Sequence, residues 1–186
     1  MTADTPATGS ETVAAQLRTA MAQVPAAVSV VTTQSGCTPH GTTVSAFMSL
    51  SMDPPMVLVS LDNTSQLLAR ISTGDLVGVN VLSAEQADIA VQFARKDKVV
   101  DALSAHWDVR DDQPPRLPNC LAWISLTVTD LMPAGDHTLV VGTVNSAQAR
   151  GDAPLVYSRR TYTTTAELES REVPPGSELN RRGLAS

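Results

Sequence analysis

Two stretches of this sequence hold side chains whose types and spacing could do chemistry. The first runs Gly41-Thr42-Thr43-Val44-Ser45-Ala46-Phe47-Met48-Ser49-Leu50-Ser51-Met52-Asp53-Pro54-Pro55. It continues as Val57-Leu58-Val59-Ser60-Leu61-Asp62-Asn63-Thr64-Ser65. Hydroxyl content alone fits a β-hairpin with a Ser/Thr face. The other reading is a neutral cradle for a planar, hydrogen-bonding ligand that carries a phosphate. Asn63, Thr64 and Ser65 at a helix start would then offer hydroxyls and backbone N–H groups to the anion. The second stretch is Gly135-Asp136-His137. Gly-Asp is ordinary hairpin-turn chemistry, and on spacing alone His137 is only the first residue of a strand. A lone histidine is a weak signal for more.

Other catalytic kits are missing. The sequence contains no G-x-S-x-G elbow, no P-loop and no H-E-x-x-H. The three histidines, His40, His106 and His137, show no ligand spacing with each other or with Cys37 and Cys120, so no metal site is expected. No G-x-G-x-x-G follows a strand, because Gly74 and Gly78 fall before and within one, which argues against a Rossmann site. A net charge of −6 is a poor balance for gripping nucleic acid or an anionic membrane. With 42% apolar and 17% charged residues the chain is not a charge-solvated, disordered one. Only 3% is aromatic, so aliphatic side chains must fill the core.

No charged residue occurs from Thr19 to Met52, but Gln23, Pro25, Gln34, Pro39 and His40 interrupt it. No apolar run there approaches the ~20 residues of a membrane span. Met1 to Glu11 lacks the basic and apolar regions of a signal peptide. A soluble, cytoplasmic protein with reduced thiols is expected.

The elements that must position these residues are predicted from periodicity. Residues 1–10 read as a flexible leader, 11–165 as one folded domain, and 166–186 as a polar tail. Val13, Leu17, Ala20, Met21 and Val24 share a helical face over Glu11–Val24, which Pro25 ends. Strands are predicted at Ala26–Thr33, Gly41–Leu50, Met56–Leu61 and Leu76–Leu82, with a turn through Gly36 and Pro39 and a short helix at Thr64–Ser72. Ser83 with Gln86 makes a capping-box pattern before a helix over Ala84–Arg95. Residues 108–119 read as a loop. Strands follow at Cys120–Leu131, Thr138–Ala149 and Pro154–Tyr162. Six or seven strands with two or three short flanking helices predict a mainly β protein, an antiparallel barrel whose closure removes exposed edges.

Taken in order, the segments resemble a known family. Thr43 to Pro55, Phe93-Ala94-Arg95-Lys96, Pro133-Ala134-Gly135-Asp136-His137-Thr138 and the closing Tyr157 to Tyr162 resemble the short-chain flavin reductases. These are the reductase components of two-component flavin-dependent monooxygenases. The resemblance spans about residues 15–163. One departure is Val99, where many relatives carry an aromatic residue.

The resemblance implies a split antiparallel β-barrel, a homodimer, and reduction of FAD or FMN by NADH, with NADPH left open. Reduced flavin would then diffuse to a separate monooxygenase. By the family pattern Thr43, Val44, Ser45 and Ala46 line the flavin ring edge, with Ser49 and Ser51 beside the ring and ribityl chain. Ser60, Asn63, Thr64 and Ser65 approach the phosphate, and Arg95 and Lys96 are the nearest cations. His137 would orient the nicotinamide or stabilise charge on the reduced ring, as the catalytic residue. Arg159, Arg160 and Tyr162 would complete the pyridine-nucleotide site. The rival readings are a flavin- or haem-binding split-barrel module without turnover, and an oxidase with bound flavin. The latter would call for a dedicated substrate base, which the sequence does not display.

Overall fold

The computed structural model describes residues 9–36, 38–95, 107–110 and 112–166. Seven strands form one antiparallel sheet: β2 (Ser29–Ser35), β3 (Thr38–Val44), β4 (Phe47–Met52), β5 (Pro55–Asp62), β6 (Leu76–Val81), β9 (Ala122–Ala134) and β10 (His137–Ala149). Their order across the sheet is β3-β2-β6-β9-β10-β5-β4. The two outermost strands are therefore consecutive in the chain, separated by only Ser45 and Ala46. A connection that short forces the sheet to curl until its edges approach. Ser60 N–H donates to the Ala46 carbonyl at 2.8 Å, tying the connector to β5.

The curled sheet encloses Val31, Val57, Val59, Leu61, Val77, Val79, Leu126, Val128 and Val140, with Leu67 and Ile71 packed against them. Burial of each such side chain is worth about 1.5–3 kcal/mol. A second apolar layer lies outside the barrel. Val28, Val30, Leu82, Leu117 and Leu155 pack there against Ala90 and Phe93 of helix α2 (Ala87–Ala94). Strand β2 thus has both faces covered, and Ser29 to Thr33 are all buried. Helix α1 (Gly9–Met21) instead leaves Val13, Leu17 and Met21 exposed.

Several predicted boundaries move, each for a physical reason. The expected strand 41–50 is cut at Ser45–Ala46, because the chain crosses there from one sheet edge to the other. Pro39 lies within β3 rather than in the turn; β3 is an edge strand, where a missing N–H is tolerated. The segment 26–33 divides into β1 (Ala26–Ala27) and β2. The predicted helix 64–72 is reduced to a 3₁₀ turn at Leu68–Arg70. Ser83 N–H does donate to Gln86 Oε1 at 3.1 Å, the reciprocal contact of a capping box, but the first turn over Ala84–Gln86 is 3₁₀.

The segment 108–119, read as a loop, contains a small hairpin of β7 (Asp108–Arg110) and β8 (Gln113–Arg116). Buried Thr32 holds it by donating from Oγ1 to the Pro115 carbonyl at 2.7 Å, and Leu117 N–H donates to Asn80 Oδ1 at 2.8 Å. The last predicted strand, 154–162, is instead a hairpin of β11 (Val156–Ser158) and β12 (Thr161–Thr163) beside β1. Its turn residues Arg159 and Arg160 both have positive φ, 51° and 60°. No helix among the described residues is long and apolar enough to cross a membrane.

Candidate functional site

A cavity of about 420 Å³ opens where the two sheet edges approach. Its floor is β3 from Pro39 to Val44 and the Ser45–Ala46 connector. One wall is the end of β5 with the loop through Thr64, Ser65 and Gln66, backed by Arg70. The opposite wall is Phe93, Ala94 and Arg95 at the end of α2, together with Trp107. His137, the first residue of β10, completes the rim.

Local chemistry explains why this wall stands. Phe93 and Trp107 meet edge to face, with centroids 5.0 Å apart. Gly41 allows the pair to approach the strand, since a Cβ there would lie 3.0 Å from Trp107 and 3.1 Å from Phe93. Thr43 Oγ1 donates to the Ala90 carbonyl at 2.7 Å, so its hydroxyl hydrogen ties β3 to α2. Trp107 Nε1 is buried on the cavity wall without a hydrogen-bond partner. An orphaned indole N–H beside exposed hydroxyls and cations fits a planar ligand with polar edges and an anionic group.

The 62–65 loop is built by its own side chains. Asp62 Oδ1 accepts from both the backbone N–H and the hydroxyl of Thr64, each at 2.6 Å, and Ser65 N–H donates to the Asp62 carbonyl at 2.8 Å. Arg70 donates back to the Gln66 carbonyl, which fixes its guanidinium beside the loop. Burial, and after it the charge of Arg70, lower the pKa of His40, so that ring stays neutral at pH 7. At the rim, left-handed Gly135 (φ 66°) makes the tight turn into β10. His137 Nδ1 lies 2.7 Å from Asp136 Oδ1, the carboxylate acting as acceptor. That hydrogen bond, then the charge of His137, hold the Asp136 carboxyl below its ordinary value.

Of the residues expected at the site, Thr43, Val44, Ser45, Ala46, Ser60, Thr64, Ser65, Arg95 and His137 line one cavity. Others fall elsewhere. Ser49 and Ser51 lie on β4 past the connector, where Ser49 Oγ contacts Met52 Sδ and Ser51 Oγ accepts from Asp53 N–H. The Asn63 side chain turns to the Gly135 carbonyl and the Thr138 hydroxyl. Arg159 pins the end of α1, its N–H donating to the Ala22 carbonyl at 2.7 Å and its Nε to Gln23 Oε1 at 3.2 Å. Arg160 shares that turn. Tyr162 borders a smaller cavity of about 170 Å³ with Tyr157, which shares Thr43, Val44 and Ser45 with the larger one. Lys96 and Val99 lie outside the described residues.

Sequence reading missed His40, Gly41, Gln66, Arg70, Phe93 and Trp107 as wall residues. A glycine inside a strand pattern was the available signal for Gly41, since it marks close approach of another group. Arg70 gave none, because its place depends on the 3₁₀ turn. Among the described residues no group of three His, Cys, Asp or Glu converges as a metal site.

A seven-stranded antiparallel sheet curled over one continuous core, with a side cavity at its split, defines a split β-barrel protein. The family model described as "Flavin reductase like domain" matches residues 21–166, and the chain belongs to that family. It is 34% identical over 165 residues to an NADH:FMN oxidoreductase of Rhodococcus qingshengii, covering 86% of each chain. BorF, the flavin reductase component of a bacterial two-component tryptophan halogenase, superposes with a TM-score of 0.75 at 26% identity, covering 83% of this chain and 99% of that one. The NADH:FAD oxidoreductase SgcE6 of Streptomyces globisporus C-1027, in complex with NAD and FAD fragments, gives 0.74 at 25% identity, over 94% of this chain and all (100%) of that one.

Proposed function

We propose that the protein is an NADH-dependent flavin reductase that reduces FAD or FMN and releases it to a separate monooxygenase. The observation that carries this is the cavity itself, which collects hydroxyls, two guanidinium groups and an aromatic pair, with the Asp136-held His137 at its rim. Relatives named for both NADH:FMN and NADH:FAD reactions support flavin with NADH and leave the choice of flavin open. Flavin, when bound, would supply the redox chemistry as the acceptor of a hydride from the nicotinamide. Positioning then provides most of the catalysis, and no strong base is required.

The chain's own residues divide the work. The Thr43–Ala46 backbone would border the ring edge, and the Ser60 and Ser65 hydroxyls with Arg70 and Arg95 would hold the phosphate side, while Thr64 is committed to Asp62 and shapes the loop. Trp107 and Phe93 close the apolar flank. Asp136 orients the His137 imidazole through Nδ1, leaving Nε2 to meet the nicotinamide carboxamide. Burial raises the pKa of the Cys120 thiol, which suits a structural residue rather than a redox one.

The homodimer belongs to this proposal. Met48, Leu50 and Met52 on the unpaired edge strand β4 are 55%, 45% and 65% exposed, and α1 presents a further apolar stripe. Covering them with a second copy removes an exposed edge. A cytoplasmic site is likewise proposed, since NADH is regenerated there and thiols stay reduced.

The test is NADH oxidation under air by purified protein, with and without added FAD or FMN. Added flavin should be required for turnover. Failure of both flavins to stimulate oxidation of NADH or NADPH would sink the reading. The His137→Ala variant should lower kcat/KM for NADH by about ten- to a hundredfold, the value of a charge-assisted contact, with flavin affinity little changed.

A further inference from the structure

Asn63 sits in the middle of the loop that lines the cavity, between Asp62 and Thr64, yet its polar atoms are committed elsewhere. Its backbone N–H donates to the Asp136 carbonyl at 3.0 Å, and Nδ2 donates to the Gly135 carbonyl at 3.2 Å. Oδ1 accepts from Thr138 Oγ1 at 2.8 Å. These three partners flank His137 on both sides. The β5–β10 ladder ends at the pair Asp62–His137, so the turn is held by the β9–β10 pair Ala134–His137 on one side and by no further strand pair on the β5 side. Asn63 extends the ladder by one step, its side-chain amide standing in for the backbone of a further strand residue.

We propose that Asn63 is a positioning residue that clamps the Gly135–Thr138 turn, holding the His137 ring at the cavity rim for the nicotinamide. This rests on the reductase reading and deepens it. It also replaces the expectation that Asn63 approaches the flavin phosphate. The Asp136–His137 contact can orient the ring relative to the cavity only if the turn is held against the β5 end, and Asn63 supplies that tie through its backbone N–H and its side-chain amide. The two side-chain hydrogen bonds set where the turn lies relative to Thr64 and Ser65. Flavin held by that loop and nicotinamide guided by His137 are therefore kept in register by one residue.

Two variants separate a clamp from a phosphate ligand. Asn63→Ala deletes both side-chain contacts, while Thr138→Val deletes one and leaves the 62–65 loop chemically intact. Each is assayed with FMN and with riboflavin, which has the same ring and no phosphate, and flavin binding is read separately by fluorescence quenching. A clamp predicts that Asn63→Ala lowers kcat/KM for NADH about tenfold with both flavins, at unchanged flavin affinity. Thr138→Val should shift it in the same direction by less. The ring ¹⁵N signals of His137, assigned with His137→Ala, should change in both variants while those of His40 do not.

A defect seen only with FMN, together with weaker FMN binding, would make Asn63 a phosphate ligand and overturn the proposal. So would wild-type NADH kinetics with unchanged His137 signals in both variants. If Asn63→Ala does not fold, Thr138→Val decides alone on the same criteria. Should the wild type oxidise no NADH with any flavin, the reductase reading falls, and the His137 signals still decide the clamp.

Discussion

The two edges of the barrel sheet are two residues apart in the chain and have opposite surroundings. The β3 edge is covered: α2 accepts the Thr43 hydroxyl through the Ala90 carbonyl, and Phe93 with Trp107 packs over Gly41. The β4 edge carries Phe47-Met48-Ser49-Leu50-Ser51-Met52, with no charge along it and three large apolar side chains in solvent. An unpaired edge must be covered, charged or paired to stay soluble. The chain covers β3 by itself, and the space left between strand and cover becomes the ligand cavity. Among the described residues nothing comparable covers β4, and the proposed dimer would supply the cover there. One connector thus joins a covered edge to one that the described residues leave open.

The comparison breaks most severely at Gly41. Gly41→Leu pushes a side chain into the space held by Trp107 and Phe93, and neither partner has a flexible end to give way. Overpacking of this kind costs about 1–3 kcal/mol. The expected outcome is a thermal midpoint lower by several degrees and loss of flavin binding in a fluorescence titration. Normal flavin affinity in a stable Gly41→Leu protein would mean that the aromatic pair is not a wall of the site.

The β4 edge is tested next by Met48→Lys with Leu50→Lys. Both positions are exposed within the chain, so a surface with no partner would tolerate the change within about 0.5 kcal/mol. A buried dimer face would not, because two unpaired charges per chain would lose their water. Light scattering at micromolar concentration should report a dimer for the wild type and a monomer for the variant. Two dimers, or two monomers, would remove β4 from the interface.

How much of this was legible in the sequence follows the same division. The long strands β9 and β10 could be read because Ile124, Leu126 and Val128 alternate with Ser125, Thr127 and Thr129 along a half-buried face. The turn residues Gly135 and Asp136 name their own geometry. That Ser49 and Ser51 lie away from the cavity within the chain was not legible, because alternation runs unbroken across Ser45–Ala46, and local pattern does not register a change of sheet edge. The contacts of Asn63 were not legible for a related reason: an amide in a turn looks free until the partner turn, 72 residues away, is brought beside it. Arg70 was invisible while the segment 64–72 was read as a regular helix. Pattern within one strand or turn was legible, whereas the packing of distant elements around the cavity was not.

Arg70 sharpens the covered side of the comparison by asking what the cavity recognises. Its guanidinium is exposed, lies beside Ser65 and Gln66, and lowers the His40 pKa. Arg70→Gln keeps length and polarity while removing the charge. A hydrogen bond to a charged group is worth about 1.5–3 kcal/mol when well formed, and solvent exposure brings the expectation to the low end, about a tenfold loss of FMN affinity. Riboflavin affinity should stay unchanged. Equal losses for the two flavins would show that Arg70 shapes the loop rather than meeting the phosphate.

The smallest effect is expected at Asp136, and its sign is fixed by its partner. The hydrogen bond from His137, and then the charge of that ring, depress the Asp136 carboxyl below its ordinary value of 3.8. A depressed value in the folded state means that the contact stabilises the protein above the ordinary value and is lost as the pH falls through the folded one. The carboxylate stands at the exposed tip of the β9–β10 turn, where water and salt screen the interaction. Asp136→Asn should therefore lower the thermal midpoint only slightly at pH 7. The gap between variant and wild type should close as the pH falls from the ordinary carboxyl value of 3.8 down through the depressed folded-state value, where the carboxylate takes up its proton. An Asn side chain still accepts from Nδ1–H, so the ring keeps its orientation and NADH turnover should fall far less than in His137→Ala. A gap that widens on acidification, or a loss of turnover as large as that of His137→Ala, would mean that Asp136 carries charge the reaction needs. The covered side of the barrel would then hold an electrostatic contact as well as a positioned ring.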